Sequence, residues 1–361
     1  MARVQRARGV LTPELPASRP RRPLAGLYPG YFALVMATGI VALALDGAGA
    51  PLLAQSLSVI CVVAYAALTV LFALRFLRFG RQALGDLLDH ARGPGYFTWV
   101  AGTCVCGSQL LLLQGQPRTA GSLWLFGLIL LLILTYVFFS AATLRRAKPR
   151  MGNSLNGAWL LAVVAMQSVA LLGTQLSLAA PEPAAGQLFL TAILFLAGTV
   201  LYLLVIGLIF YRFTFLPVTP AQLTAPYWIN MGALAITTLA GLSLLEASPA
   251  LPELAGLQPL LPGLALLFWS FGTWWIPLLV VFGAWRHFVA RHPLSYSPEY
   301  WGLVFPLGMY SVATRKLQEL FAFEVLGVVA QVFALLGFAA WLLTLTGMLL
   351  SWLPGRRAGT A

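Results

Sequence analysis

Ten apolar runs, each long enough to cross a bilayer, follow one another along almost the whole chain. A span needs about 20 mainly apolar residues, and its backbone must satisfy its own hydrogen bonds because lipid offers none. The runs read as Tyr28–Leu45, Leu52–Phe76, Tyr96–Gln114, Thr119–Leu144 and Asn156–Thr174, then Gly186–Phe213, Ala225–Glu246, Leu264–Phe288, Pro298–Leu317 and Gly327–Leu353. Only 9% of residues are charged, against roughly a quarter in soluble domains, so no sizeable soluble domain fits between the runs. The expected fold is an all-α polytopic membrane protein. Residues 1–27, rich in Pro and Arg, read as a disordered basic cytoplasmic arm. Residues 28–353 read as one ten-helix transmembrane domain, and 354–361 as a short cytoplasmic tail. Arg21-Arg22 resembles a twin-arginine signal, but the next run is span-length and lacks a small-residue cleavage site, so it reads as the first retained helix.

Short Gly/Pro links alternate with longer basic loops, so the spans pair as five helical hairpins. Of the 22 Lys and Arg, all but Arg118, Arg315 and Lys316 fall on one side. That side holds the arm, the loops around Arg75, Arg92, Arg145, Arg212 and Arg286, and the tail. Basic residues stay cytoplasmic, which places both termini there; the chain is expected to be a multi-pass protein of the cell (inner) membrane. The net charge of +12 is therefore topogenic and does not mark a nucleic-acid surface.

The span interiors hold no chain of Asp, Glu and His for a proton relay. His90, His287 and His292 sit in loops or at a helix end, where they cannot grip a buried haem. Nothing pairs a nucleophile with a base or gathers metal ligands, so neither an enzyme nor a cofactor is expected. Cys61, Cys104 and Cys106 lie in apolar runs and read as small packing residues. Neutral polar and small residues are what remain: Thr38, Gly39, Thr103, Gln167, Ser168, Asn230 and Thr237. Singly, each suits close helix packing. Together they would make a pore wall of hydroxyls and amides, without fixed carboxylates, that tolerates anions better than cations.

The ninth run, SPEYWGLVFPLGMYSVATRKL, carries Pro306 between Gly302 and Gly308. Pro306 has no N–H, so the Gly302 carbonyl loses its helical partner and needs a neighbouring helix or a water-filled cavity. The run therefore predicts either a kinked packing helix or a kinked helix lining a path. Just before it, Arg286, His287, Arg291 and His292 form a basic cluster. It reads first as positive-inside charge, and alternatively as an anion funnel at the cytoplasmic mouth.

Five stretches, in order, carry a resemblance: YPGYFALVMATGIVALAL, NGAWLLAVVAMQSVALLG, YWINMGALAITTLAG, FGTWWIPLLVVFGAWRH and YWGLVFPLGMYSVAT. Together they resemble the tellurite-resistance/dicarboxylate transporter family, which includes plant slow anion channels and fungal malate and sulfite transporters. The resemblance covers residues 28 to 350. It implies five hairpins around a central pore, odd spans inside and even spans outside, and a homotrimer with one pore per protomer. It also implies a pore-plugging phenylalanine, which the W-x-x-x-F-P pattern puts at Phe305, one residue before Pro306. The implied cargo is a small anion, a malate-like C4-dicarboxylate or an oxyanion such as tellurite or sulfite. The alternative on the same scaffold is a proton-coupled C4-dicarboxylate carrier, for which Glu299 is the acid placed to titrate. The chain departs from the family in carrying Ala37 where many members have glycine, in lacking long regulatory tails, and in having no arginine deep within a span.

Overall fold

A computed structural model describes residues 24–353; residues 1–23 of the arm and the tail at 354–361 lie outside them. Among the described residues the regular structure is all helical, with no strands. Ten long helices follow in order: α1 (Ala33–Gly47), α2 (Pro51–Leu87), α3 (Phe97–Gln114), α4 (Pro117–Leu144), α5 (Leu161–Ala179), α6 (Ala185–Phe215), α7 (Ile229–Ala247), α8 (Leu261–Ala284), α9 (Trp301–Phe321) and α10 (Glu324–Trp352). By length and composition nine helical segments among the described residues suffice to cross a membrane. The exception is α9, whose last turns carry Arg315, Lys316 and Glu319.

Odd and even helices differ in where their apolar surface goes. The most apolar stretches of α1, α3, α5 and α7 are 72–89% buried, whereas those of the even helices are only 22–39% buried. Leu203, Leu204, Val328 and Leu343, all on even helices, are more than half exposed. In water that surface would be costly; against lipid it is at home. The odd helices pack in a closed circuit, α1 on α3, α3 on α5, α5 on α7, α7 on α9 and α9 back on α1. Each also packs extensively on the even helix that follows it. Gly115, with a left-handed φ of 61°, closes α3 and permits the tight link to α4, where Pro117 supplies the first turn.

Every odd helix is led in by one 3₁₀ turn: Pro29–Phe32, Gly93–Tyr96, Gly157–Leu160, Ala225–Trp228 and Pro298–Tyr300. Four of the five place proline in the first two positions, where a missing N–H costs nothing. The recurrence is visible in the chain as PGYF at 29–32 and again at 94–97, with PYW at 226–228 and PEYW at 298–301. The lead-in turns of α5 and α7 touch backbone to backbone. A Cβ on Gly157 would lie 2.3 Å from the Pro226 carbonyl oxygen and 2.6 Å from the Tyr227 nitrogen. Gly157→Ala is expected to cost about 1–3 kcal/mol as an overpacking substitution. A thermal melt of the detergent-solubilised variant matching wild type would contradict that contact.

Two arginines depart from expectation. Arg75 and Arg212, counted above as orienting charge at the cytoplasmic ends of their spans, are 0% and 2% exposed. The span expected to end at Phe76 continues as helix to Leu87, bending at Phe79 (φ −134°, ψ 36°). The bend brings Asp86 back to pair with Arg75, which also donates to the Tyr96 hydroxyl (2.7 Å) and the Ala25 carbonyl (3.3 Å). Arg92 completes the group, its Nε 2.8 Å from Asp86. Near the end of α6, Arg212 donates to the Tyr227 hydroxyl and to the Gly152 carbonyl (2.8 Å). In both places an arginine of an even helix clamps the lead-in tyrosine of the next odd helix. A loop charge and a buried clamp have the same residue type at the same end of a span, so charge counting does not separate them.

Candidate functional site

Two cavities lie at opposite ends of the ring of odd helices, and each is lined by all five. The narrow one, about 10 Å³, sits where the odd helices begin. Gly30, Ala33 and Met36 face it from α1 and its lead-in turn, Thr98 from α3, and Ala158 and Leu161 from α5. Pro226 and Ile229 come from the start of α7, and Glu299, Gly302 and Phe305 from the start of α9. That volume is at the threshold for a single water. The wide one, about 470 Å³, sits where the same helices end. Ile40 and Asp46 line it from α1, Val105 and Ser108 from α3, Leu171 and Gln175 from α5, Leu239 and Ser243 from α7, and Met309 and Arg315 from α9.

Since the beginnings of all five helices meet at one cavity and their ends at the other, the five run parallel. Met36 and Ile40 on α1, and Phe305 and Met309 on α9, belong to opposite cavities four residues apart. The partition between them is therefore one helical turn thick, about 6 Å. All four side chains are at most 2% exposed.

The electrostatics differ at the two ends. Five helix beginnings surround the narrow cavity, and helix N-termini carry positive partial charge. Glu299 is the charged side chain among its lining residues. The wide vestibule holds Arg315 and Lys316 with Asp46, Glu246 and Glu319. There Lys316 Nζ bridges Glu246 and Glu319, at 2.9 Å each, and ties α7 to α9. Arg315 meets Gln331 at 3.4 Å. On the loop after α2, burial and the neighbouring Arg145 hold the His90 imidazole pKa below its ordinary value. Among the described residues no three His, Cys, Asp or Glu side chains gather to hold a metal.

The expected pore residues distribute unevenly. Phe305 and Gly302 line the narrow cavity. The helix is continuous through Pro306, whose ring packs where Gly232 has no side chain; a Cβ there would lie 2.8 Å away. Gly308 packs against α1, where an added Cβ would meet Ile40 at 3.0 Å. Thr38, Gly39, Thr103, Gln167, Ser168, Asn230 and Thr237 are absent from the lining of both cavities. Several face even helices: Thr38 accepts from Trp341 Nε1 (2.9 Å), Thr103 Oγ1 donates to the Tyr65 hydroxyl (3.2 Å), and Asn230 accepts from Tyr202 (2.9 Å). Gln167 donates to the Phe195 carbonyl at 3.0 Å. A Cβ on Gly39 would lie 2.8 Å from Val105. Ser168 and Thr237 bond back to Val164 and Ala233 in their own helices. Arg286 donates to the Leu223 carbonyl and lines a lateral groove beside α7, α8 and α9. Arg291 is exposed in the following loop, with a left-handed φ of 52°.

The residues that do line the cavities follow a helical stripe. On α9 it runs Glu299, Gly302, Phe305, Met309, Val312, Arg315 and Glu319, steps of three and four residues along one face. Met36, Ile40 and Met309 were missed in the sequence because an apolar residue facing an axis looks like one facing a core.

A family model described as "Voltage-dependent anion channel" matches residues 26–349. A protein of Mycobacterium tuberculosis named an uncharacterized membrane protein is 39% identical over 149 residues, covering 41% of this chain and 75% of its own length. Two proteins of Methanocaldococcus jannaschii, each named an uncharacterized transporter, match more of the chain. One is 24% identical over 330 residues (88% of this chain, 91% of its own) and the other 23% identical over 284 (76% and 79%).

Proposed function

Because this chain belongs to the voltage-dependent anion channel family, we propose that it is a channel for small anions whose path runs along the axis of its odd helices and is closed by Phe305. The observation carrying this reading is the pair of cavities, each lined by all five odd helices and separated by one turn that includes the Phe305 ring. A hydrophobic constriction excludes water, and an ion cannot shed its hydration shell to pass. Five helix N-termini around the narrow cavity provide positive potential without a fixed cation. Candidate cargoes are halides, nitrate, malate-like C4-dicarboxylates and oxyanions such as tellurite or sulfite. The exposed apolar faces of the even helices suit lipid, and in part a second copy, in keeping with a homotrimer with one path per protomer. Both termini are assigned to the cytoplasm of an inner-membrane protein, on the distribution of Lys and Arg.

The test is anion flux into proteoliposomes made with purified protein, combined with blockade from the wide vestibule. In a Phe305→Ala background with Cys61, Cys104 and Cys106 replaced, Ser243→Cys is expected to react with a membrane-impermeant, negatively charged thiol reagent and to lose most of its flux. Thr237→Cys, whose native hydroxyl bonds within its own helix, is expected to remain unreactive. Flux that never exceeds protein-free liposomes in any variant would defeat the channel reading.

A further inference from the structure

We propose that Glu299 selects anions by charge, holding back divalent anions more strongly than monovalent ones. The inference rests on the channel reading above and names the class of cargo it favours. Glu299 lies in the lead-in turn of α9, on the stripe that continues through Gly302 to Phe305. It lines the narrow cavity and also the lateral groove of about 750 Å³ that contains Arg286, His287 and His292. Among the described residues Glu299 is the one that lines both spaces, so an anion reaching the Phe305 ring through the narrow cavity comes beside its carboxylate.

That carboxylate is not neutralised by a partner. No cation among the described residues reaches ion-pair distance of it. Arg286, in the same groove, donates to the Leu223 carbonyl and keeps its charge, so it offsets part of the Glu299 field from beyond ion-pair distance. Tyr28 lines the narrow cavity with Glu299, Tyr300 lines the lateral groove, and the remaining walls of the narrow cavity are mostly apolar. Repulsion from a fixed charge grows in proportion to the charge of the approaching ion, so a dianion meets twice the barrier of a monoanion. Without Glu299 the positive helix ends would favour the dianion. With it, the preference turns toward chloride, nitrate and singly charged oxyanions. A merely structural acid in a first helical turn would stabilise α9 and leave selectivity alone.

The experiment compares malate with chloride flux at pH 8, where malate is a dianion, in proteoliposomes of Phe305→Ala, Phe305→Ala/Glu299→Gln and Phe305→Ala/Glu299→Asp. The Gln variant is expected to raise the malate-to-chloride ratio about tenfold, and the Asp variant to leave it near the parent's. A ratio unchanged by Gln, with chloride flux retained, overturns the role of Glu299 while the channel stands. Absence of both fluxes in Phe305→Ala overturns the channel instead. Ionic strength gives a second readout in the parent itself. Raising it with an impermeant salt screens Glu299 and must lift the ratio. Should the Gln variant fail to fold, a salt-independent ratio in the parent overturns the proposal.

Discussion

Phe305→Ala is expected to increase chloride and nitrate flux through reconstituted protein by about a hundredfold, equivalent to lowering the barrier by about 2.7 kcal/mol. The ring is 1% exposed and stands in the single turn that divides the two cavities. Removing it opens the narrow cavity toward Met309 and the vestibule, so water can enter from the wide side. Phe305→Trp keeps an aromatic ring of larger size and should remain closed, and Phe305→Leu should fall between. The measurement is initial flux at matched protein density, with wild type near background. Slow, saturable malate uptake in both wild type and the Ala variant, driven by an imposed pH gradient, would instead mark a carrier, and the plug assignment would be wrong.

The largest effect on stability is expected at the arginine clamps. Arg75→Ala leaves the Tyr96 hydroxyl short of a donor and strips Asp86 of one of its two cations. Breaking a buried pair costs about 3–5 kcal/mol when the other charge is left unpaired, and the expected loss sits at the low end of that range because Arg92 still pairs Asp86. Arg212→Ala, which frees the Tyr227 hydroxyl and the Gly152 carbonyl, should approach this from the other half of the ring. Lysine should not rescue either site, since one ammonium cannot reproduce the two-pronged contacts of a guanidinium. The observable is the melting transition and monodispersity in detergent. An Arg75→Ala protein that melts with wild type would show that the clamp contributes little.

The membrane fold was legible because the bilayer imposes it. Ten runs of span length leave few alternatives, and the helices fall on them, although α2 extends past its run to Leu87. What stayed hidden was facing. Thr103 and Asn230 are polar residues in apolar spans, and nothing in their spacing reveals that they bond to Tyr65 and Tyr202 on even helices. The α9 stripe was available as steps of three and four, and Phe305 and Gly302 fall on it. On α1, Met36 and Ile40 carry no such sign, because they differ from their buried neighbours only in direction. The clamps were masked for a different reason. Arg75 sits where a cytoplasmic charge is expected, and only the return of the chain at Phe79 encloses it.

The narrow cavity also bears on bioenergetics. Protons hop along chains of hydrogen-bonded water far faster than other ions diffuse, so any continuous wet thread through a membrane protein short-circuits the proton-motive force. A space of about 10 Å³ beneath Phe305 holds one water at most and cannot carry such a thread. On the proposed channel reading, the closed protein would accumulate in an energised membrane without uncoupling it, and a seal at Phe305 would insulate that membrane against protons as well as anions.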